Sequence, residues 1–313
     1  MKILLPTGID LHPALPDDVE AVPYSPSEPL PAEHHDAEAL VVWGNSREHL
    51  EQLARDLTGL TWVQALAAGP DAVLAAGFDD GAVVTSGRGL HDATVSEHAL
   101  ALSLALIRRL PQAREAQREH RWATEIGGVQ PLRPSGQITT LIGARVLIWG
   151  FGSIGQRLAP LYRSLGATVT GVARSAGERA GFPVVAEEQI EAALATTDLL
   201  VMVLPSSPAT DKALNAERLA ALPEGALLVN VGRGTTVDED ALVEALRAGR
   251  LAGAGLDVTA VEPLPATSPV WDAPNLLLTP HAAGGRPVGA DELISHNVAA
   301  LLAGEPLRNV VGR

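Results

Sequence analysis

Short apolar runs alternate along the chain with stretches whose apolar residues recur every three or four positions. That alternation predicts strands and helices in turn. In the first ninety residues Ile3–Leu5, Ala39–Trp43, Trp62–Ala65 and Ala82–Thr85 read as strands, with Arg47–Leu57 helical between them. A long helical stretch, Asp92–Arg121, follows; Asp92 or Thr94 is placed to cap it, with Glu97 near its positive end. After a Gly- and Pro-rich loop, Gly127–Gly136, come further strands at Val146–Trp149, Thr168–Val172, Leu199–Val203, Leu227–Val231, Gly253–Leu256 and Leu276–Thr279. Helices are expected between most of these, most clearly Glu239–Ala248 with Gly249 as its C-terminal stop. A last helix spans Ala290–Gly304, and the patch Pro23–Pro31 reads as loop.

Strands this short and apolar, separated by helices, belong in parallel sheets covered on both faces. The expected fold is α/β in two domains, each a doubly wound parallel sheet, the first flavodoxin-like and the second Rossmann-type. The long helix at Asp92 is the natural crossover. The boundaries expected are 1–94 with 288–313 for the first domain and 95–287 for the second, with hinges near Asp92–Ser96 and Gly285–Pro287.

Composition narrows the chemistry. The 313 residues carry a formal charge of −14, which argues against nucleic acid or an anionic membrane as partner. With no cysteine there are no disulfides, thiolate metal sites or thiol nucleophiles. The opening MKILLPTG is a first strand, too short for a signal-peptide core. The apolar stretch Ala99–Ile107 has about half the length a bilayer requires. A soluble, cytoplasmic chain is expected. The adjacent pair His34-His35 has no nearby carboxylate to complete a metal site and reads as solvated; no metal is expected.

The most informative segment is ARVLIWGFGSIG, Ala144–Gly155. Gly150, Gly152 and Gly155 follow a strand and open a helix, the context that gives this spacing its meaning as a dinucleotide fingerprint. The N–H groups of Ser153 and Ile154 then meet a pyrophosphate at a positive helix end. About twenty residues on, where NAD-binding proteins place an acidic side chain, stands Ala173, followed by Arg174 and Ser175. A guanidinium and a hydroxyl suit a 2′-phosphate, so NADP(H) is expected, with NAD(H) also possible. The alternative for Arg174 is a solvated surface arginine.

Chemistry is expected at the carboxyl ends of the second domain's strands. Arg233 follows Leu227–Val231; Asp257 and Glu262 follow Gly253–Leu256; His281 follows Leu276–Thr279. An arginine grips a carboxylate at two points and polarises the adjacent carbonyl. Histidine, with an unperturbed pKa of about 6.5, exchanges protons near neutrality, and a carboxylate on its far nitrogen fixes the tautomer. Beside a nicotinamide this set suits hydride transfer to a small 2-keto acid, the proton coming from His281. Glu262 and Asp257 also admit plainer readings, as a solvated loop carboxylate and a turn cap.

VLIWGFGSIGQRLA, LLVNVGRGTTVDEDALVEAL, GAGLDVTAVEPLP and NLLLTPHAAG together resemble the signature segments of the D-isomer-specific 2-hydroxyacid dehydrogenases, and VSEHALALSLALIRR resembles that family's interdomain helix. The resemblance implies a catalytic set of Arg233, Glu262 and His281, and a backbone grip on the substrate carboxylate from Ala68 and Gly69, joined by Arg233 and His281. It also implies cofactor contacts from Leu204, Pro205, Val231 and Gly232, from Asp257 on the carboxamide, and from the segment holding His281, Ala283 and Gly284. Two departures stand out. Arg174-Ser175 after Ala173 resembles the NADPH-dependent glyoxylate/hydroxypyruvate reductase branch, and Pro70 removes one N–H from the carboxylate-gripping loop. Homodimers are implied, with Gly127–Gly136 as the arm that embraces the partner. Trp43 lines the substrate pocket or packs beneath it, and Glu97-His98 read as stabilising the interdomain helix. The rival readings are a non-catalytic NAD(P)-binding regulator on the same scaffold and a dehydrogenase of another small anion such as phosphite.

Overall fold

The apolar runs become strands of two separate sheets in the computed structural model, which describes residues 1–133 and 136–312. Each sheet belongs to its own unit: Met1–His91 with Arg286–Arg313, and Asp92–Gly285.

In the first unit β1 (Lys2–Pro6), β2 (Glu20–Tyr24), β3 (Ala39–Val42), β4 (Trp62–Ala65) and β5 (Val83–Thr85) lie in the order β2-β1-β3-β4-β5. Every pair is parallel, the flavodoxin-like arrangement. One face packs Leu4, Leu40 and Val63 against Leu50 and Leu53 of α1 (Arg47–Asp56), and the other packs Ile3, Val41 and Trp62 against Ile294 and Val298 of the C-terminal helix. Buried Gln64 ties that helix down, its amide oxygen accepting from Thr85 Oγ1 and Asn297 Nδ2, each at 2.9 Å. Strand β2 departs from the loop expected at Pro23. Pro23 pairs with Leu5 at the sheet edge, where a missing N–H goes unnoticed.

The second unit starts with α3 (Asp92–Ile107) and α4 (Leu110–Arg118), where one continuous helix was expected. Arg109 takes φ +51° and Pro111 enters the first turn of α4, so the ladder cannot continue although the apolar spacing does. Next come β6 (Arg145–Trp149), α5 (Ser153–Ser164), β7 (Thr168–Ala173), β8 (Gly177–Arg179), β9 (Phe182–Ala186), α6 (Ile190–Leu194) and β10 (Leu199–Met202). The unit closes with α7 (Ala216–Ala221), β11 (Ala226–Asn230), α8 (Glu239–Arg247), β12 (Leu251–Leu256) and β13 (Leu276–Leu278).

The sheet order is β13-β12-β11-β10-β6-β7-β9-β8, parallel except for the β8/β9 pair. The winding reverses between β6 and β10, which opens a crevice at the carboxyl ends of those two strands. Cores fill both faces: Val146, Ile148, Leu158 and Tyr162 on one, and Leu147, Trp149, Leu200 and Leu242 on the other. Pro134 and Ser135, within the expected partner arm, lie outside the described residues. Among the described residues no helix is long and apolar enough to cross a membrane.

One ion cluster pins the amino end of this sheet. Asp198 Oδ1 and Oδ2 accept from Arg133 at 2.8 and 2.9 Å, and Arg145 Nη2 and backbone N reach the same carboxylate at 2.8 and 2.7 Å. Burial pulls the Asp198 carboxyl upward, but the two guanidiniums and the N–H outweigh it and hold the group well below the ordinary carboxylate range. A depressed native value means this stabilisation is complete above the unfolded carboxyl's pKa of about 3.9 and fades as pH falls through the lower native value. Asp198→Ala is therefore expected to lose about 2 kcal/mol at pH 7, and the difference from wild type should shrink in urea titrations taken progressively below pH 4.

Candidate active site

The glycine turn sits at the reversal of the sheet. Gly150 and Phe151 both donate backbone N–H groups to Val172 O, at 3.1 and 3.0 Å, so the turn is hung from the end of β7. Gly150 has φ +102°, and a Cβ there would lie 2.5 Å from Val203 O. Gly152 is different: a Cβ would meet nothing within 4 Å, so its backbone faces open space. It caps α5 with no side-chain hydrogen bond, which leaves the first N–H groups of that helix for an outside acceptor. The Ser153 hydroxyl donates to Asp92 Oδ1 at 3.1 Å, so what Ser153 offers a phosphate is its backbone. This cradle fits a pyrophosphate.

Ala173 ends β7, and exposed Arg174 and Ser175 follow it. Sequence reasoning missed a second arginine here. Strands β8 and β9 form a hairpin through Ala180 and Gly181, whose φ values of +52° and +74° are those of a two-residue primed turn. The hairpin carries Arg179 back so that its Nη2 donates to Ser175 Oγ at 2.8 Å and Ser175 O at 3.0 Å. Positive φ values at Ala180 and Gly181 were the available signal, hidden because alanine does not advertise that conformation.

The remaining candidates stand on loops at the carboxyl ends of β11, β12 and β13. Buried Asn230 fixes the first loop, donating to Arg233 O at 3.1 Å and accepting from Gly232 N at 3.0 Å. Arg233 is half-buried, with Nη1 donating to Gly232 O at 2.9 Å. Gly234 presses this loop onto the next: a Cβ there would sit 1.9 Å from the carbonyl carbon of Thr259. On that second loop Thr259 N donates to Glu262 Oε1 at 3.0 Å. Ala260 N donates to Glu239 Oε1 at 2.6 Å. Burial, chiefly, lifts the Glu239 carboxyl above its ordinary value, with Asp240 and Glu262 adding to it against the Ala260 N–H.

Glu262 Oε2 lies 2.7 Å from His281 Nδ1, and both side chains keep access to solvent. An ionised carboxylate only accepts, so Nδ1 carries the proton of this bond and Nε2 is left facing outward. His281 itself has φ +50°, held by hydrogen bonds from its N–H to Asp257 O and Thr279 O at 2.8 and 3.0 Å.

Several predicted cofactor residues serve the fold with their side chains. Leu204, Val231 and Ala283 are buried in the cores, so a ligand would meet only their backbone; Pro205 and Gly284 stay at the surface or partly so. Asp257 is 2 % exposed. Its Oδ1 accepts from Thr279 Oγ1 at 2.6 Å and Ala282 N at 2.8 Å, and its Oδ2 from Ala283 N at 3.0 Å, which leaves one acceptor direction on Oδ2 for a carboxamide. Ala68 and Gly69 belong to the other unit, on the loop after β4, and Pro70 caps the short helix α2 (Asp71–Ala75) there. Trp43, also in that unit, stacks on His91 with ring centroids 5.6 Å apart.

Residues 100–283 match the D-isomer specific 2-hydroxyacid dehydrogenase NAD-binding domain. The chain belongs to this family. Glyoxylate/hydroxypyruvate reductase A of Serratia proteamaculans is 34% identical over 290 residues, covering 90% of this chain and 88% of that protein. A D-isomer specific 2-hydroxyacid dehydrogenase of Xanthobacter autotrophicus, solved with NADPH and MES, has a TM-score of 0.79 at 32% identity and covers 99% of this chain and 97% of its own. The NADPH-dependent glyoxylate/hydroxypyruvate reductase of Sinorhizobium meliloti, solved with NADP and sulfate, gives 0.81 at 27% identity, covering 99% of this chain and 97% of that one. The second unit thus contains a 2-hydroxyacid dehydrogenase NAD-binding domain.

Two alanine substitutions separate ligand binding from folding. Gly152→Ala is expected to keep the wild-type melting temperature, because its Cβ meets only open space, while weakening NADPH binding by about tenfold or more, at least 1.4 kcal/mol. Gly150→Ala should instead destabilise the fold by about 1–3 kcal/mol. Thermal melts beside fluorescence titrations with NADPH distinguish the two.

Proposed function

We propose that the chain reduces a small 2-keto acid of the glyoxylate or hydroxypyruvate kind to the D-2-hydroxy acid, preferring NADP(H) to NAD(H). The observation that carries this is the 2.7 Å bond from His281 Nδ1 to Glu262, on a loop pressed against the one bearing Arg233. Glu262 holds the proton on Nδ1, so Nε2 is the atom that delivers a proton to the substrate's carbonyl oxygen; the carboxylate stabilises the imidazolium that gives the proton up, and the ring is left as the neutral Nδ1–H tautomer. Arg233 holds the substrate carboxylate by two parallel N–H groups and polarises the neighbouring carbonyl. In this reading the other unit, Met1–His91 with Arg286–Arg313, is the substrate domain. The start of α5 and Asp257 would hold a reduced nicotinamide cofactor, which would supply the hydride.

Three features support the NADP(H) preference. Ala173 offers no carboxylate to repel a 2′-phosphate, Arg174 and Ser175 are exposed beside it, and Arg179 adds a second guanidinium at Ser175. Relatives solved with NADPH and NADP point the same way. The substrate class follows the Serratia relative.

A homodimer is part of the proposal. Leu110, Trp122, Val129, Leu132 and Ile142 expose large apolar side chains along one stretch of the second unit, Trp122 being 89% and Val129 102% exposed. A second copy of the chain is the occupant this stretch suits.

His281→Ala is expected to lower turnover with glyoxylate by about a hundredfold or more while leaving NADPH affinity intact. A variant with near-full turnover, or a wild-type chain that binds NADPH yet oxidises none of it across a panel of 2-keto acids, would refute the reading. Arg174→Ala is expected to cut the NADPH-over-NADH preference in kcat/KM by about tenfold, the loss of one charge-assisted bond. An unchanged preference would remove Arg174 from the account.

A further inference from the structure

The candidate active site leaves one histidine unused. His98 lies in the first half of α3, far from the catalytic loops in sequence, yet its Nε2 is 2.9 Å from Thr279 Oγ1 and 3.2 Å from Asp257 Oδ1. Its side chain is 23 % exposed and that of Asp257 only 1 %. The proton bookkeeping is fixed. Thr279 donates its one hydroxyl proton to Asp257 Oδ1 at 2.6 Å, and Asp257 only accepts. His98 must therefore carry a hydrogen on Nε2 and donate it to the Thr279 oxygen.

Asp257 is the hub of the turn that presents His281. Its main-chain oxygen accepts from His281 N at 2.8 Å, and its carboxylate from Ala282 N and Ala283 N at 2.8 and 3.0 Å, so three successive N–H groups end on one residue. That turn holds His281 at φ +50°, a conformation an L residue keeps only when its surroundings enforce it. A carboxylate out of water enforces a geometry only while its oxygens stay satisfied and oriented. The imidazole N–H of His98 supports it from outside the strand-end loops, through the Thr279 hydroxyl. Helix α3 is a firm mount for that donor. Ser103 Oγ lies 2.6 Å from the buried Tyr162 Oη, tying α3 to α5, and Asp92 receives the Ser153 hydroxyl at the start of the same two helices.

We propose that His98 is a positioning residue for the reaction: through Thr279 and Asp257 it fixes the His281–Ala283 turn and so the alignment of His281 with Glu262. The inference rests on the proton role given to His281 under the proposed function.

The test compares His98→Ala, His98→Gln and His98→Asn in the full chain, with His281→Ala alongside, using NADPH and glyoxylate. A Gln amide nitrogen reaches the place of Nε2, whereas an Asn amide stops near that of Nδ1. Expected are a kcat lower by about 10–100-fold in His98→Ala and His98→Asn, the range for lost orienting partners and for displacements near 1 Å. KM for NADPH should change less than about threefold, and His98→Gln should recover most of the lost kcat. Melting temperatures within a few degrees of wild type would show that turnover, not folding, is what moved. If His98→Ala does not fold, the Gln and Asn pair decides the matter alone. Wild-type kcat in the Asn variant, or equal losses in Gln and Asn, would overturn the inference. An active His281→Ala variant would overturn the proposed function instead, while an inactive one beside fully active His98 variants would overturn only the role of His98.

Discussion

The pairing of His281 with Glu262 depends on two turns that have no regular structure of their own, and each turn is held by a carboxylate, one buried and one half-buried. Asp257 gathers the N–H groups of residues 281–283, and Glu239 takes Ala260 N on the loop that bears Glu262. Both carboxylates issue from parts of the Rossmann-type sheet and its helices that are fixed by packing, Asp257 directly after β12 and Glu239 at the start of α8. The order of dependence is clear. Apolar strands place the carboxylates, the carboxylates place the turns, and the turns place the two side chains that meet at 2.7 Å. Charge enters the interior here only where N–H groups already wait for it.

An acidic chain that handles anions looks contradictory until the scale of each field is considered. The net charge of −14 is spread over the surface, where salt screens it beyond about 10 Å. The groups proposed to meet anions act at contact range: the open start of α5, Arg174 and Arg179 beside Ser175, and Arg233 on its braced loop. Within a crevice between strand ends, a few donors at contact distance outweigh a diffuse repulsion.

Much of this was legible in the sequence, and for identifiable reasons. Fully buried parallel strands are nearly continuous apolar runs, so β6, β7, β10 and β11 are visible within a residue or two at each end. Arg233 and His281 stand out as candidates because polar residues just after such runs are out of keeping with a core, whereas Glu262 lies further along the loop after β12. Edge elements were harder. Pro23 in β2 and the three-residue β8 do not carry the apolar signature, because an edge strand need not be buried on both sides. The break at Arg109 was hidden by a spacing of apolar residues that runs straight through it. The tie from His98 to the catalytic turn was also invisible. Its partner Thr279 is 181 positions away, and nothing in either segment alone suggests the other.

The hairpin of β8 and β9 sits at the outermost edge of the second sheet, and β8 pairs with nothing except β9. None of the three residues of β8 is buried, whereas Phe182 and Val184 of β9 belong to the core. Insertions, deletions and charge reversals in β8 therefore leave the interior undisturbed. Descendants of such a chain have freedom to retune what lies beside Ser175 one residue at a time, while the machinery at the far strand ends is inherited whole.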